Sequence, residues 1–395
     1  MRAYDACEYL VKQIGDRGIG SEGEKRAGDW IERELSTLGY ETRRLWFDCP
    51  AWDYHGTWLT VDGEQVQAGA QMFSPSCEVE AELVRINPDG KGGFSGDPAG
   101  KIAVMAEAET GEVLARGKLA RALKASGALA GIIASSFPET WSTKLFRDPA
   151  ADFPSAAVSA RDGATVLRKI RSPARLVIDA RQRNGRTSDV IAERGPHDAS
   201  VFLVGAHYDA APSSPGARDN ASGTAVLLEL AERFSKVRLI HRLRFCAFSG
   251  HEYGGDDAKA FGSKSYVQSC PQELTRVALM LNLDGSAGLP GSRLLLAVYG
   301  GERLFSRVKG FAASMGDVTV EQATGGGSDH AVFVEAGMEA VWLRSTDDGR
   351  YYATVYHSPL DDMTWVDKSE MERSAELAFR LLSEFMQMPA AKAVR

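Results

Sequence analysis

The sequence predicts an α/β protein: a mixed, mainly parallel sheet flanked by helices, with a smaller β-rich domain inserted. Three observations predict it. Residues 3–39 repeat apolar side chains at helical spacing. From about 41 to 182 short β-like runs alternate with Gly/Pro punctuation. From about 187 onwards apolar strands alternate with amphipathic helices, the pattern of a sheet covered on both faces. The expected division is 1–49 as the N-terminal helical part of the main domain, 50–182 as the insert, and 183–395 as the remainder.

The N-terminal segment carries Tyr9, Leu10 and Ile14, then a Gly-rich break, then a second helix. There Ala27, Trp30, Ile31, Leu35 and Leu38 recur at three- and four-residue steps. Ser21 and Glu24 have the spacing of a capping box, and Gly39 suits the helix stop. In the middle block TWLTVDG and EAELVRI read as strands. KIAVMAEA, GKLARALKASGA and LAGIIASS then read as strand, helix and strand, a small βαβ unit. No cluster of His, Asp or Glu is evident there, so this block is expected to wall a cleft and contribute no metal ligand.

In the last block TSDVIAER, SVFLVGAHYD, HRLRFCAFSG, VALMLNLDG, RLLLAVYG and EAVWLRS read as strands. ASGTAVLLELAERFSK is a helix with Leu227, Leu230, Ala231 and Phe234 on one face. GSKSYVQSC, GERLFSRVKGFAASMG and residues 367–388 complete the helices.

Composition narrows the function classes. The 395 residues are 44% hydrophobic and 25% charged, which is globular composition and excludes a wholly disordered chain. Lys and Arg number 46 against 53 Asp and Glu, a net charge of −7. That gives no electrostatic case for nucleic acid or an anionic membrane. No stretch reaches the ~18 apolar residues of a membrane span. The N-terminus shows no apolar signal region, so the cytoplasm is the expected compartment, with secretion the alternative if a leader is absent from this sequence. Five scattered cysteines without a Cys-x-x-Cys argue against a disulfide framework or a zinc ribbon.

In a sheet of this kind ligands bind beyond the carboxyl ends of the strands. VFLVGA ends in His207 and Asp209, which a structural His–Asp pair would equally explain. Asp219 precedes a helix rich in small residues, where an N-cap is the alternative. LRFCAFSG ends in His251 and Glu252, VALMLNL ends in Asp284, and His357 lies in TVYHSPLD, expected as a loop after a strand. Two imidazoles and three carboxylates suit zinc, and also cobalt or manganese. If Asp219 bridges, each of two metals gains one His, one terminal carboxylate and one shared oxygen. A position stays open for water, as in two-metal hydrolysis with ions ~3.5–4 Å apart.

HYDAAPSSPGARDNASG, FSGHEYGG, NLDG, GGSDHAVF and YHSPLD, in that order, resemble the di-zinc aminopeptidases of the clan that includes glutamate carboxypeptidase and the transferrin receptor. The resemblance covers about 187–388 and the N-terminal GSEGEKRAGDWIERELSTLGYE. The middle block is similar to the protease-associated domain often inserted in that family. The resemblance implies one metal on His207, Asp219 and Asp284, and another on Asp219, Glu252 and His357. It further implies that Asp209 orients His207 and that Ser328-Asp329-His330 form a loop supporting the site, with a plain Gly-rich turn as the alternative.

This chain departs from the resemblance at one point. The family carries Glu-Glu where this chain has His251-Glu252, and the first Glu is the general base. His251 is therefore the base, an additional ligand, or the sign of slow or lost hydrolysis. The loop after it is longer, and Asp256 or Asp257 is a candidate to contribute to the pocket. The expected function is a zinc-dependent exopeptidase, an aminopeptidase acting on peptides, with Tyr351, Tyr352 or Tyr356 as candidates to bond the oxyanion, packing being an equal alternative for each. The alternatives are a non-catalytic metal-binding member and a single-zinc acyltransferase of the glutaminyl cyclase type.

Overall fold

The computed structural model describes residues 2–146, 148, 150–253 and 260–387. The central strand is Val201–His207, buried at every position, as expected of an apolar run with neighbours on both edges and helices on both faces. It pairs in parallel with Arg242–Phe248 on one side and Val277–Leu283 on the other. Beyond Val277–Leu283 come Ala340–Thr346 in parallel, Arg293–Tyr299 antiparallel, and Val318–Gln322 parallel to that. The sheet is thus mixed and mainly parallel around its centre. The Val318–Gln322 strand has no continuous apolar run, alternating instead as an edge strand does, and the sequence pattern did not single it out.

Two long strands, Glu41–Val61 and Pro173–Arg194, pair antiparallel along almost their whole lengths, from Glu41↔Glu193 to Val61↔Ala174. TWLTVDG and TSDVIAER lie on these strands and are not separate short elements. The outer half of Pro173–Arg194 also pairs with Cys77–Arg85, and its inner half with Arg242–Phe248. The expected boundaries at 49/50 and 182/183 therefore fall inside continuous strands. Beyond Cys77–Arg85 lie Ile102–Ala106, Ala130–Ala134 and Ser155–Val158, all parallel. The helix Val113–Ala125 connects the first two of these, so the βαβ unit read from the sequence is present.

Glu22–Thr37 begins where Ser21 Oγ accepts from Glu24 N at 3.0 Å and ends before Gly39, whose φ is 81°. Its Ala27, Trp30, Ile31 and Leu35 are buried. Ser222–Ser235 buries Leu227, Leu230, Ala231 and Phe234 completely, at about 1.5–3 kcal/mol per large side chain. No helix among the described residues is long and apolar enough to cross a membrane.

Candidate metal centre

The site lies at the carboxyl ends of the central strands. His207 closes its strand and is fully buried, with its carbonyl held by Thr224 Oγ1 at 2.8 Å. The carboxylate of Asp209 stands 3.4 Å from His207 Nδ1. The same carboxylate accepts from His251 N at 3.1 Å and Glu252 N at 2.9 Å. Asp209 thus orients the imidazole and anchors the His251–Glu252 backbone.

Asp219 sits in the turn Ala217–Ala221 ahead of the Ser222–Ser235 helix. Asp361 grips this turn, accepting from Arg218 N at 3.0 Å and Asp219 N at 3.1 Å. The buried Arg218 guanidinium bonds Asp347 and the Ser345 carbonyl and lies over the Tyr351 ring. Asn220 Oδ1 accepts from Gly223 N and Gly285 N, and its Nδ2 donates to the Leu283 carbonyl. That ties the turn to the strand end carrying Asp284. A side chain at Gly223 would meet the Leu283 carbonyl oxygen at 2.2 Å, so glycine is required there.

These constraints leave the two Asp219 oxygens facing different imidazoles. Oδ1 is 3.2 Å from His207 Nε2, and Oδ2 is 3.3 Å from His357 Nε2. Asp284 adds an oxygen 3.5 Å from His207 Nε2, and Glu252 adds one 3.1 Å from His357 Nε2. All five residues expected at the centre come together as two half-sites sharing Asp219. His357 does so from a different setting than expected. It follows the helical turn Arg350–Thr354, not a strand, and has a φ of 56°.

The His251 ring stacks on His207 with centroids 4.1 Å apart, and its Nδ1 is 3.4 Å from Asp329 Oδ2. The Ser328–His330 loop divides its work. Ser328 donates to Asp284, Asp329 faces His251, and His330 packs between Tyr299 and Trp342.

The donor set fits divalent metal. His207 Nε2 and Glu252 Oε1 are buried and have no hydrogen-bond partner among the described residues. Nitrogen and carboxylate atoms of His207, Asp219 and Glu252 lie within 4.8 Å of one another, as do those of His207, His251 and Asp284. Burial works against ionising Asp284, yet His207 beside it holds its carboxyl down at about 2. Burial also works against charge on Glu252, but His357 and Lys144 keep it well below the usual range. Burial would lower His207, but Asp209, Asp219 and Asp284 lift it well above its ordinary value. His251 is likewise raised: burial and His207 oppose its charge, and Asp329 outweighs them. Burial and the neighbouring Asp219 push Asp361 up to about 7. Convergent buried carboxylates of this kind demand cations.

Lys144 lies between the strands Ala130–Ala134 and Ser155–Val158, far in sequence from the other site residues, yet its buried ammonium pairs with Glu252. In the sequence it is a lone lysine in WSTKLF, without a motif to distinguish it. Asp361, Arg218 and Asn220 were visible only as letters inside YHSPLD and GARDNASG. Of the three tyrosines, Tyr351 is buried and donates to Asp361 at 2.8 Å. Tyr352 is exposed, and the Tyr356 ring stacks on His357 at 3.5 Å. Asp256 and Asp257 lie outside the described residues.

Residues 189–382 match the sequence profile of Peptidase family M28. Aminopeptidase YwaD of Bacillus subtilis is 26% identical over 385 residues, covering 95% of this chain and 82% of that protein. The structure of BSAP, a zinc aminopeptidase from Bacillus subtilis, superposes with a TM-score of 0.81 at 25% identity, over 99% of this chain and 96% of that one. A glutaminyl cyclase of Porphyromonas gingivalis shares the fold more distantly, with a TM-score of 0.56 at 16% identity over 97% of each chain.

Proposed function

We propose that this chain, whose residues 189–382 match peptidase family M28, is a peptide hydrolase of that family, a zinc aminopeptidase holding two ions. The observation supporting two ions is the placement of Asp219, with one oxygen toward His207 and the other toward His357. In this reading His207, Asp219 and Asp284 hold one ion, and Asp219, Glu252 and His357 hold the other. When bound, the metal pair polarises the scissile carbonyl and lowers the pKa of the attacking water.

The remaining chemistry belongs to the side chains. His251 takes the proton from water and later returns it to the leaving amine. Asp329 beside Nδ1 fixes the ring and stabilises its protonated form, leaving Nε2 to receive the proton. Asp209 keeps His207 and the His251–Glu252 backbone in register. With the Tyr351 hydroxyl committed to Asp361, Tyr352 and Tyr356 are the candidates for bonding the oxyanion. The 50–182 segment walls the cleft and limits substrate size.

The test pairs metal analysis of the purified chain with an aminoacyl-p-nitroanilide panel, run with and without chelator. We expect about two ions per chain, hydrolysis that chelator abolishes, and loss of both in Asp219→Asn. Full turnover and two ions in Asp219→Asn would refute the shared carboxylate. A second reading, a binding protein without hydrolysis, draws on His251 standing in the general-base position. Tightly held metal with no hydrolysis of any panel member would favour it.

A further inference from the structure

The Ser142–Phe146 segment of the insert is fastened to the metal centre by its backbone. Thr143 N and Oγ1 both donate to the His357 carbonyl, at 2.9 and 3.1 Å. On the other side the buried Gln71 clamps the same segment. Its Oε1 accepts from Leu145 N and Phe146 N, at 2.6 and 3.1 Å. Its Nε2 donates to the Ser142 carbonyl at 3.0 Å, and Met72 N donates to the Thr143 carbonyl at 2.9 Å. None of these bonds uses an atom that would bind metal, so they hold the Lys144 backbone beside the site whatever ion is present, and only its ammonium can move. The Lys144 ammonium is paired with Glu252 and lies 3.5 Å from His357 Nε2.

We propose that Lys144 is a tethered cation that competes with the second ion for Glu252 and His357, a role that rests on the two-ion reading of the site. A buried carboxylate needs a positive partner, and Lys144 supplies one from within the chain. An ammonium and a dication cannot share one carboxylate oxygen at contact distance without strong repulsion. The chain therefore has a one-ion state, closed by the lysine, and a two-ion state in which the lysine is displaced. The half-site of His207 and Asp284 has no such competitor among the described residues. It fills first, and the Glu252–His357 half-site is the weaker one. The insert thereby governs how many ions the centre holds, as well as shaping the cleft.

The test is a Zn2+ titration of the chelator-stripped full-length chain against a chromophoric competitor. Bound metal is counted by mass spectrometry after gel filtration, for the wild type, Lys144→Met, Lys144→Ala and Lys144→Arg. In the wild type the second ion should bind at least tenfold more weakly than the first. Lys144→Met and Lys144→Ala should each tighten the second ion at least tenfold and leave the first unchanged. Lys144→Arg should keep the wild-type gap. Equal filling of both sites in the wild type, or a gap unchanged in the neutral variants, overturns the competition while the two-ion reading stands. Filling that stops at one ion or none in the wild type and both neutral variants overturns the two-ion reading and this inference with it. The wild-type titration is decisive even if one neutral variant fails to fold.

Discussion

Position 251 pairs an imidazole with a buried carboxylate, Asp329, at 3.4 Å. If His251 carries the proton, His251→Ala should lower the rate about 10²–10⁴-fold. Metal content, read by mass spectrometry, should stay unchanged; loss of metal would make His251 a ligand instead. Glu24 illustrates a different demand on one residue. It accepts from Gly20 N and Ser249 Oγ in a buried position. Burial, then the nearby Asp209, pushes its carboxyl from the ordinary 4.5 up to about 8. Between these values the unfolded chain has released the proton and the folded chain retains it. Stability should therefore fall as pH rises from about 4.5 to about 8, by up to about 1.4 kcal/mol per pH unit from this group. Urea unfolding of Glu24→Gln across that range checks the sign, since the variant should gain on the wild type as pH rises. The capping-box spacing of Ser21 and Glu24 was legible in the sequence. The Glu24 carboxylate nevertheless bonds Gly20, not Ser21, because Ser249 from a distant strand end draws the side chain across.

At the scale of elements, the turn before the Ser222–Ser235 helix shows how a loop is made rigid enough to aim a carboxylate. Asp361 holds two of its amides and Asn220 crosses to the neighbouring strand end. Gly223 is where the helix passes the Leu283 carbonyl, with no room for a methyl group. Gly223→Ala should push helix and strand apart and cost about 1–3 kcal/mol, the usual scale of overpacking. A shifted urea midpoint and weakened metal binding would report it; an unshifted midpoint would show that the contact relaxes freely. The string DNASG pointed to this turn, but the division of labour among its letters did not follow from the letters. It depends on Leu283, Gly285 and Asp361, which lie 60 or more residues away in sequence from the residues they bind.

Across the whole molecule, the two long strands Glu41–Val61 and Pro173–Arg194 join the strands around Val201–His207 to Cys77–Arg85 and the strands beyond it. The two halves of the sheet therefore share backbone ladders. If metal binds only the folded chain, chelation should lower the melting temperature and excess Zn2+ should restore it. The stabilisation grows as RT ln(1 + [L]/Kd), about 2.7 kcal/mol at a hundredfold excess over Kd. A melting temperature indifferent to chelator, in protein shown to have held metal, would deny that coupling.

Legible in the residues alone were the alternation of strand and helix, the fully apolar central strands, and His207, Asp219, Glu252, Asp284 and His357 as candidate ligands. Each of these is local: burial on both faces of a strand demands an unbroken apolar run, and ligand-type side chains at strand ends stand out against it. Only the folded chain shows Asp219 turning one oxygen to His207 and the other to His357. It alone brought Asp329 to His251 and Lys144 to Glu252. Those pairings join residues 78 and 108 positions apart, and no periodicity or spacing encodes them. They exist because strands from separate parts of the chain end at one edge, and because Gln71 and the His357 carbonyl together fasten the Ser142–Phe146 segment over it.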